Sequence, residues 1–273
     1  MRDFLFQFMP PDYSAHGHTI DDLIVFVHWL MLILFVFWGA YFLFVLYRFR
    51  ASKNAKASYH GMQSHWSTWS EVGVAVVEVI LLVGFSIPAW SRWATRPTKE
   101  QNPLEVRIVA EQFAWNVHYA GKDGIFGKAD PKFVSSTNPV GLDPNDPNGK
   151  DDVVSTNNLH LEVNRPAIIH VTSKDVVHSF KLPVMRVEQD AIPGMDVPIH
   201  FTPIRTNNGD RWEIACAQLC GLGHYRMRGQ LFIDTKEDLQ KWLASQAPEN
   251  ANTPPATPVP PAAPVPTGAV TGQ

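Results

Sequence analysis

Cysteine is scarce in this chain, with two residues in 273, and that excludes a disulfide-rich scaffold. Charge of one sign is also missing. The formal net charge is −3, and residues 101–246 hold 18 acids against 15 bases, so no polybasic surface is available and no nucleic-acid partner is expected. No C-x-x-C-H motif occurs, which excludes a covalently attached haem. Acids are absent from Arg48 to Trp69, and formal charge is absent from Leu23 to Tyr47. Apolar residues reach 45% but crowd into the first 95 positions, so a purely soluble enzyme is not expected.

The uncharged run LIVFVHWLMLILFVFWGAYFLFVLY covers Leu23–Tyr47, 25 residues, enough for a tilted membrane-spanning helix. It is too long for a signal-peptide core and no small-residue cleavage site follows it, so it is expected to be retained. A second span runs from Glu71 to about Trp90 and closes at Pro88, Arg92 and Arg96. The loop between the spans carries Arg48, Arg50, Lys53 and Lys56, whereas the first 22 residues hold Arg2 against Asp3, Asp12, Asp21 and Asp22. Lysine and arginine favour the cytoplasmic side. The expected organisation is therefore an extracytoplasmic segment at 1–22 and a transmembrane helical hairpin at 23–95, with everything after it on the outer side. Arg92, Arg96 and Lys99 run against this assignment.

From Leu104 the apolar period falls to two: Leu104, Val106, Ile108 and Ala110, then Leu159, Leu161 and Val163, then Trp212 and Ile214. This reads as an antiparallel sandwich or barrel over residues 96–246. Gly121–Asn158, rich in Asp, Asn, Pro and Gly, reads as a long loop with a docking role. Its acids leave a calcium site or a solvated turn cluster open. Residues 247–273 are rich in Pro and Ala and are expected to be disordered.

The chemistry lies in RWEIACAQLCGLGHYRM, Arg211–Met227. Cys216, Cys220, His224 and Met227 fall at C-x3-C-x3-H-x2-M, with His178 upstream in DVVHSF. Thiolate, imidazole and thioether form a soft donor set suited to copper. Two thiolates bridging two coppers would leave each ion one imidazole and one weak ligand, Met227 for one and a backbone carbonyl of the loop for the other. A disulfide and a structural zinc site stay open, although neither uses Met227. His28 reads as an imidazole hydrogen-bonded to a neighbouring helix, and His118, His160, His170 and His200 as structural.

These residues resemble subunit II of the haem-copper cytochrome c oxidases. The resemblance rests on the two spans, DVVHSF, QDAIPG at Gln189–Gly194, and CAQLCGLGHYRM. It implies a two-helix transmembrane hairpin plus an all-β cupredoxin-like barrel carrying a binuclear CuA copper centre. His178 and Met227 would bind one copper, His224 and the Gln218 carbonyl the other, and Cys216 and Cys220 would bridge both. The implied partners are haem-copper oxidase subunit I and other oxidase subunits, a separate c-type cytochrome donor, and membrane lipid. The implied location is an energy-transducing inner membrane of bacterial type, with the N-terminus and the copper domain periplasmic. A CuA subunit of a nitric oxide reductase-type complex and a membrane-anchored copper-binding protein are the alternatives.

The chain departs from the family pattern in places. Gln218 stands where a magnesium-holding glutamate is usual, which puts a magnesium site in doubt. EQFAW stands where HQWYW is common, so Phe113 occupies the usual electron-accepting position, and Trp115 or another rim aromatic is the substitute. Met195 stands where an arginine is common. No acid occupies the family's glutamate position near the start of the second span, so Glu71 is the substitute candidate for a proton path, with Glu78 pairing to a partner helix. Asp152, Asp175, Glu188 and Asp190 are expected to steer a basic cytochrome.

Overall fold

The computed structural model of the chain describes residues 4, 6–54, 56, 59–60 and 64–246, and the tail expected from 247 lies outside the described residues. Among the described residues, two helical runs are long and apolar enough to cross a membrane. The first is α1 (Gly17–Arg48); the second is α2 (His65–Leu81), which continues through a π-turn at Leu82–Ser86 into α3 (Ile87–Ala94). The π-turn has a local cause: Pro88 has no N–H for the Gly84 carbonyl, and the turn before it widens. Phe26 of α1 stacks on Phe85 of that turn, with ring centroids 5.5 Å apart. His28 Nδ1 lies 2.8 Å from the Ile24 carbonyl of its own helix.

Helix α1 begins six residues earlier than the boundary expected at 23, with polar first turns. They dock on the β domain. Tyr13 N–H donates to the Val184 carbonyl at 2.8 Å, Ala15 N–H to Thr202 at 2.9 Å, and Ile204 N–H returns to Tyr13 at 2.9 Å. Arg186 Nε donates to Asp21 Oδ1 at 2.8 Å, with both side chains 6% exposed. The segment before the first span thus straps onto the β domain.

Ten strands follow: β1 (Leu104–Glu111), β2 (Ala114–Tyr119), β3 (Val153–Thr156), β4 (Asn158–Glu162), β5 (Ala167–Ser173), β6 (His178–Leu182), β7 (Val187–Ala191), β8 (Val197–Phe201), β9 (Trp212–Cys216) and β10 (Arg228–Asp234). They form two five-stranded sheets, ordered β3-β2-β1-β5-β8 and β4-β10-β9-β6-β7, and helix α4 (Lys236–Ser245) closes the domain. The expected alternation holds in β1, where Val106, Ile108 and Ala110 are fully buried. Leu159, Leu161 and Ile214 are fully buried as well, but His160 between the first two is also buried, and Leu104, Val163 and Trp212 are only partly so. Each large side chain fully buried contributes roughly 1.5–3 kcal/mol. The antiparallel expectation fails at two pairs, since β1 runs parallel to β5 and β10 parallel to β4. Parallel neighbours need a long crossover, and the excursion between β1 and β5 supplies one.

That excursion is not the open loop expected at 121–158. Residues 153–156 are β3, and 158–162 are β4. Val140 and Leu142 are buried. The acids serve the backbone: Asp146 accepts from Lys128 N–H at 2.8 Å and Asp152 from Gly127 N–H at 2.8 Å.

Candidate metal centre

Strand β9 ends on Cys216, and β10 begins one residue after Met227. These strands pair as Arg228↔Ala215 and Gly229↔Ile214, so the segment between them must reverse and return to one edge. Gly221 makes the reversal with φ +134°, a conformation that strains any residue with a Cβ. A short 3₁₀ turn, His224–Arg226, then brings Met227 back, with its N–H on the His224 carbonyl at 3.1 Å. Strand β6 flanks β9 through Phe180↔Cys216, which sets His178, two residues away, beside the loop.

The side chains converge. Cys216 Sγ and Cys220 Sγ are 3.7 Å apart, and Cys220 Sγ is 3.7 Å from both His224 Nδ1 and Met227 Sδ. Cys216 Sγ lies 3.2 Å from the Gln218 carbonyl. Ligand atoms of His178, Cys216 and Cys220 all fall within 4.8 Å of one another. Both cysteines are free thiols, so the disulfide left open by the sequence is not formed. Burial, with Cys216 beside it, pushes the Cys220 thiol up to about 11.

His178 is fully buried. Its Nε2 is 2.8 Å from Asp175 Oδ1, and its Nδ1 has no hydrogen-bond partner. A carboxylate on Nε2 fixes the proton there and leaves Nδ1 as a lone pair. A buried lone pair without a donor is costly, and a metal ion among the sulfurs would satisfy it. Asp175 also accepts from Gln112 N–H at 2.7 Å and Val176 N–H at 2.6 Å. Burial opposes its ionisation, but these three hydrogen bonds outweigh it and hold the carboxyl below the ordinary carboxylate range.

The structure thus brings His178, Cys216, Gln218, Cys220, His224 and Met227 to one rim. Phe113 lies over the same loop, since a Cβ at Gly223 would meet its ring at 2.4 Å. Trp115 is not a rim aromatic: it is fully buried, edge-on to His178 at 6.2 Å and to Phe180 at 5.5 Å. Tyr225, inside the ligand loop and 78% exposed, is the rim aromatic the motif had not named, with Leu219 and Leu222 exposed beside it.

Among the acids expected to steer a partner, Asp152 drops out. It is fully buried against His118 Nε2 at 2.6 Å. Asp175 is His178's partner. Glu188 is exposed but paired with Lys181 at 2.9 Å, and Asp190 stays exposed. His160 and His170 also sit against carboxylates, Asp234 at 2.6 Å and Asp196 at 3.0 Å. Glu71 lies in the second turn of α2, where it accepts from Ser67 Oγ at 3.2 Å.

Sequence reading missed Gln112, whose amide Nε2 donates to the Cys220 carbonyl at 2.6 Å. No signal in the sequence announced it. The Asp175 role was legible three residues before His178 in DVVHSF.

Comparison with known proteins gives the family. Residues 104–231 match the family model described as cytochrome c oxidase subunit II, periplasmic domain. The chain is 34% identical over 229 residues to the alternative cytochrome c oxidase subunit 2 of Bradyrhizobium diazoefficiens, covering 83% of this chain and 80% of that one. It is 25% identical over 250 residues to the probable cytochrome c oxidase subunit 2 of Rickettsia bellii, covering 90% and 85%. Among solved structures, the periplasmic domain of subunit II of cytochrome oxidase from Bradyrhizobium japonicum aligns with a TM-score of 0.38 at 20% identity, over 52% of this chain and 91% of that one.

Proposed function

The chain belongs to the cytochrome c oxidase subunit II family, and from that premise we propose that it is the electron-accepting subunit of a haem-copper terminal oxidase. It takes electrons from a c-type cytochrome at a binuclear CuA centre and delivers them to the haem groups of subunit I, where oxygen becomes water. The observation that carries this reading is the buried, unpartnered His178 Nδ1 beside two free thiols 3.7 Å apart. That donor set fits soft copper and not a hard ion. His178 and Met227 would hold one ion, His224 and the Gln218 carbonyl the other, with Cys216 and Cys220 shared. Bound there, the copper pair would supply a one-electron carrier.

The protein's own part is to hold that donor set still and present it. Asp175 keeps the His178 tautomer; β6, β9 and β10 give the ligands rigid seats. Tyr225, Leu219 and Leu222 offer an exposed apolar contact around the ligand loop, with Phe113 behind it, and the buried Trp115 stiffens the His178 side. Asp190 supplies an exposed acid for a basic donor. Glu71 is the acid nearest the loop end of the second span and is proposed for proton uptake. In this reading both spans cross an energy-transducing, bacterial-type inner membrane, packed against subunit I and lipid, with the N-terminus and the copper domain periplasmic.

Purification of the full chain in mild detergent, copper loading and metal analysis test the assignment. Two coppers per chain, an intense purple colour, a co-purifying large subunit and oxygen uptake with reduced cytochrome c are expected. One zinc and no colour after copper loading would refute it.

A further inference from the structure

We propose that Gln112 is a positioning residue for the metal centre, tying both ligand-bearing elements to the β1–β2 turn. The inference rests on the copper reading above and goes beyond its ligand set. Gln112 sits between Glu111, the last residue of β1, and Ala114, the first of β2. Its backbone N–H donates to Asp175 Oδ2 at 2.7 Å, and the other oxygen of that carboxylate holds His178 Nε2 at 2.8 Å. Its side-chain amide donates to the Cys220 carbonyl at 2.6 Å. One residue therefore reaches the histidine of β6 through a carboxylate and the ligand loop directly.

The loop is shaped to receive it. A Cβ at Gly221 would meet Gln112 Nε2 at 2.6 Å, and a Cβ at Gly223 would meet the Phe113 ring at 2.4 Å. Both glycines lie where the turn's side chains land, and Gly221 also supplies the left-handed backbone. The contact has a fixed polarity, because the Cys220 carbonyl can only accept and the amide NH₂ must donate. A carboxylate of the same shape would face that carbonyl with like polarity. The Asp175 arm uses only the backbone N–H of Gln112, so it survives any substitution but proline.

The experiment compares the copper-loaded full chain with Gln112→Glu and Gln112→Met, measuring copper release to a chelator, the visible spectrum, and melting of the metal-free form. Residues that orient metal ligands typically change metal affinity by about 10–100-fold when replaced. Both variants are expected to load two coppers, release them roughly 10–100-fold faster with a shifted spectrum, and melt like the parent when metal-free. Adding Asp175→Asn should give less than the product of the separate effects, because the turn that carries the amide is then already loose. Release within about twofold of the parent in either variant, or a loss of metal-free stability that accounts for the faster release, overturns the proposal. A parent chain that takes up no copper overturns instead the reading on which it rests.

Discussion

Replacing Asp152 by alanine separates a structural acid from a docking acid. In the structure its carboxylate accepts from His118 Nε2 at 2.6 Å, Gly127 N–H at 2.8 Å and Gly121 N–H at 3.2 Å, and none of it is exposed. Alanine would strand these donors together, two of them on the backbone of the excursion that links β2 to β3. Breaking a buried polar partnership of this kind costs about 3–5 kcal/mol, and a stranded backbone donor alone costs about 1–3 kcal/mol. For a unit of this size each kcal/mol moves the melting temperature by about 2–4 °C, so Asp152→Ala should melt about 6–20 °C below the parent. Thermal melts of the full chain in detergent, followed by circular dichroism, measure this. The salt dependence of cytochrome c oxidation should be unchanged, since this carboxylate offers no exposed atom to a docking partner and is occupied by His118 and two backbone donors. A melt within 2 °C of the parent together with a flattened salt dependence would refute the reasoning and return Asp152 to the docking surface.

Cys216→Ser and Cys220→Ser should each abolish binuclear loading, read by metal analysis, while Met227→Leu should shift the reduction potential and keep both coppers, because a thioether is a weak ligand. Tyr225→Ala should slow oxidation of cytochrome c several-fold and leave the visible spectrum intact; an unchanged rate would remove the ligand loop from the contact surface. Asp21→Ala leaves Arg186 buried without its carboxylate, at a cost of about 3–5 kcal/mol, and should expose the strap before α1 to limited proteolysis, whereas the double variant Asp21→Leu/Arg186→Leu should recover part of the loss. For Gln218, a neutral amide removes the charge a hard divalent ion needs; growth in manganese should yield an oxidase with little manganese, and stoichiometric manganese lost on Gln218→Ala would show that the amide suffices.

The cluster of soft side chains was legible in the sequence because Cys216, Cys220, His224 and Met227 share one loop at fixed spacing, and soft donors rarely cluster without cause. The β domain was legible wherever one face is buried: Val106, Ile108 and Ala110 report a period of two because they all point to the core. What stayed hidden depends on partners distant in the chain. Asp152 looks like any surface acid until His118, 34 residues earlier, closes on it. Trp115 follows Phe113 by two residues, and the motif alone could not say that it lies wholly inside the sandwich. The parallel pairs β1/β5 and β4/β10 were invisible for the same reason, since alternation reveals a strand's faces and says nothing about its neighbour's direction. Gln112 was missed because a glutamine in a turn is ordinary, and its role exists only through Cys220, 108 residues away.

The strap before α1 ties the first span to the β domain independently of the charge pattern. Tyr13 and Ala15 bond to Val184 and Thr202 of the β domain, and Asp21 of α1 reaches Arg186. The first turns of α1 and the β domain therefore sit together, whatever the loop charges favour. At 1.5 Å per residue, the 32 residues of α1 extend about 48 Å, longer than the ~30 Å apolar layer, so the helix can keep Asp21 and Asp22 outside that layer and still cross. A second crossing must return the chain to the side of the β domain, as the 27-residue run His65–Ser91 would do. Under the proposed two-pass topology Arg92, Arg96 and Lys99 then follow from geometry. They lie where the chain leaves the second span to reach β1, on the side fixed by the strap, and the positive loop at Arg48–Lys56 is left facing the opposite side. The contact between α1 and Arg186 ties the start of the first span to the β domain, as the even number of crossings in the proposed topology requires.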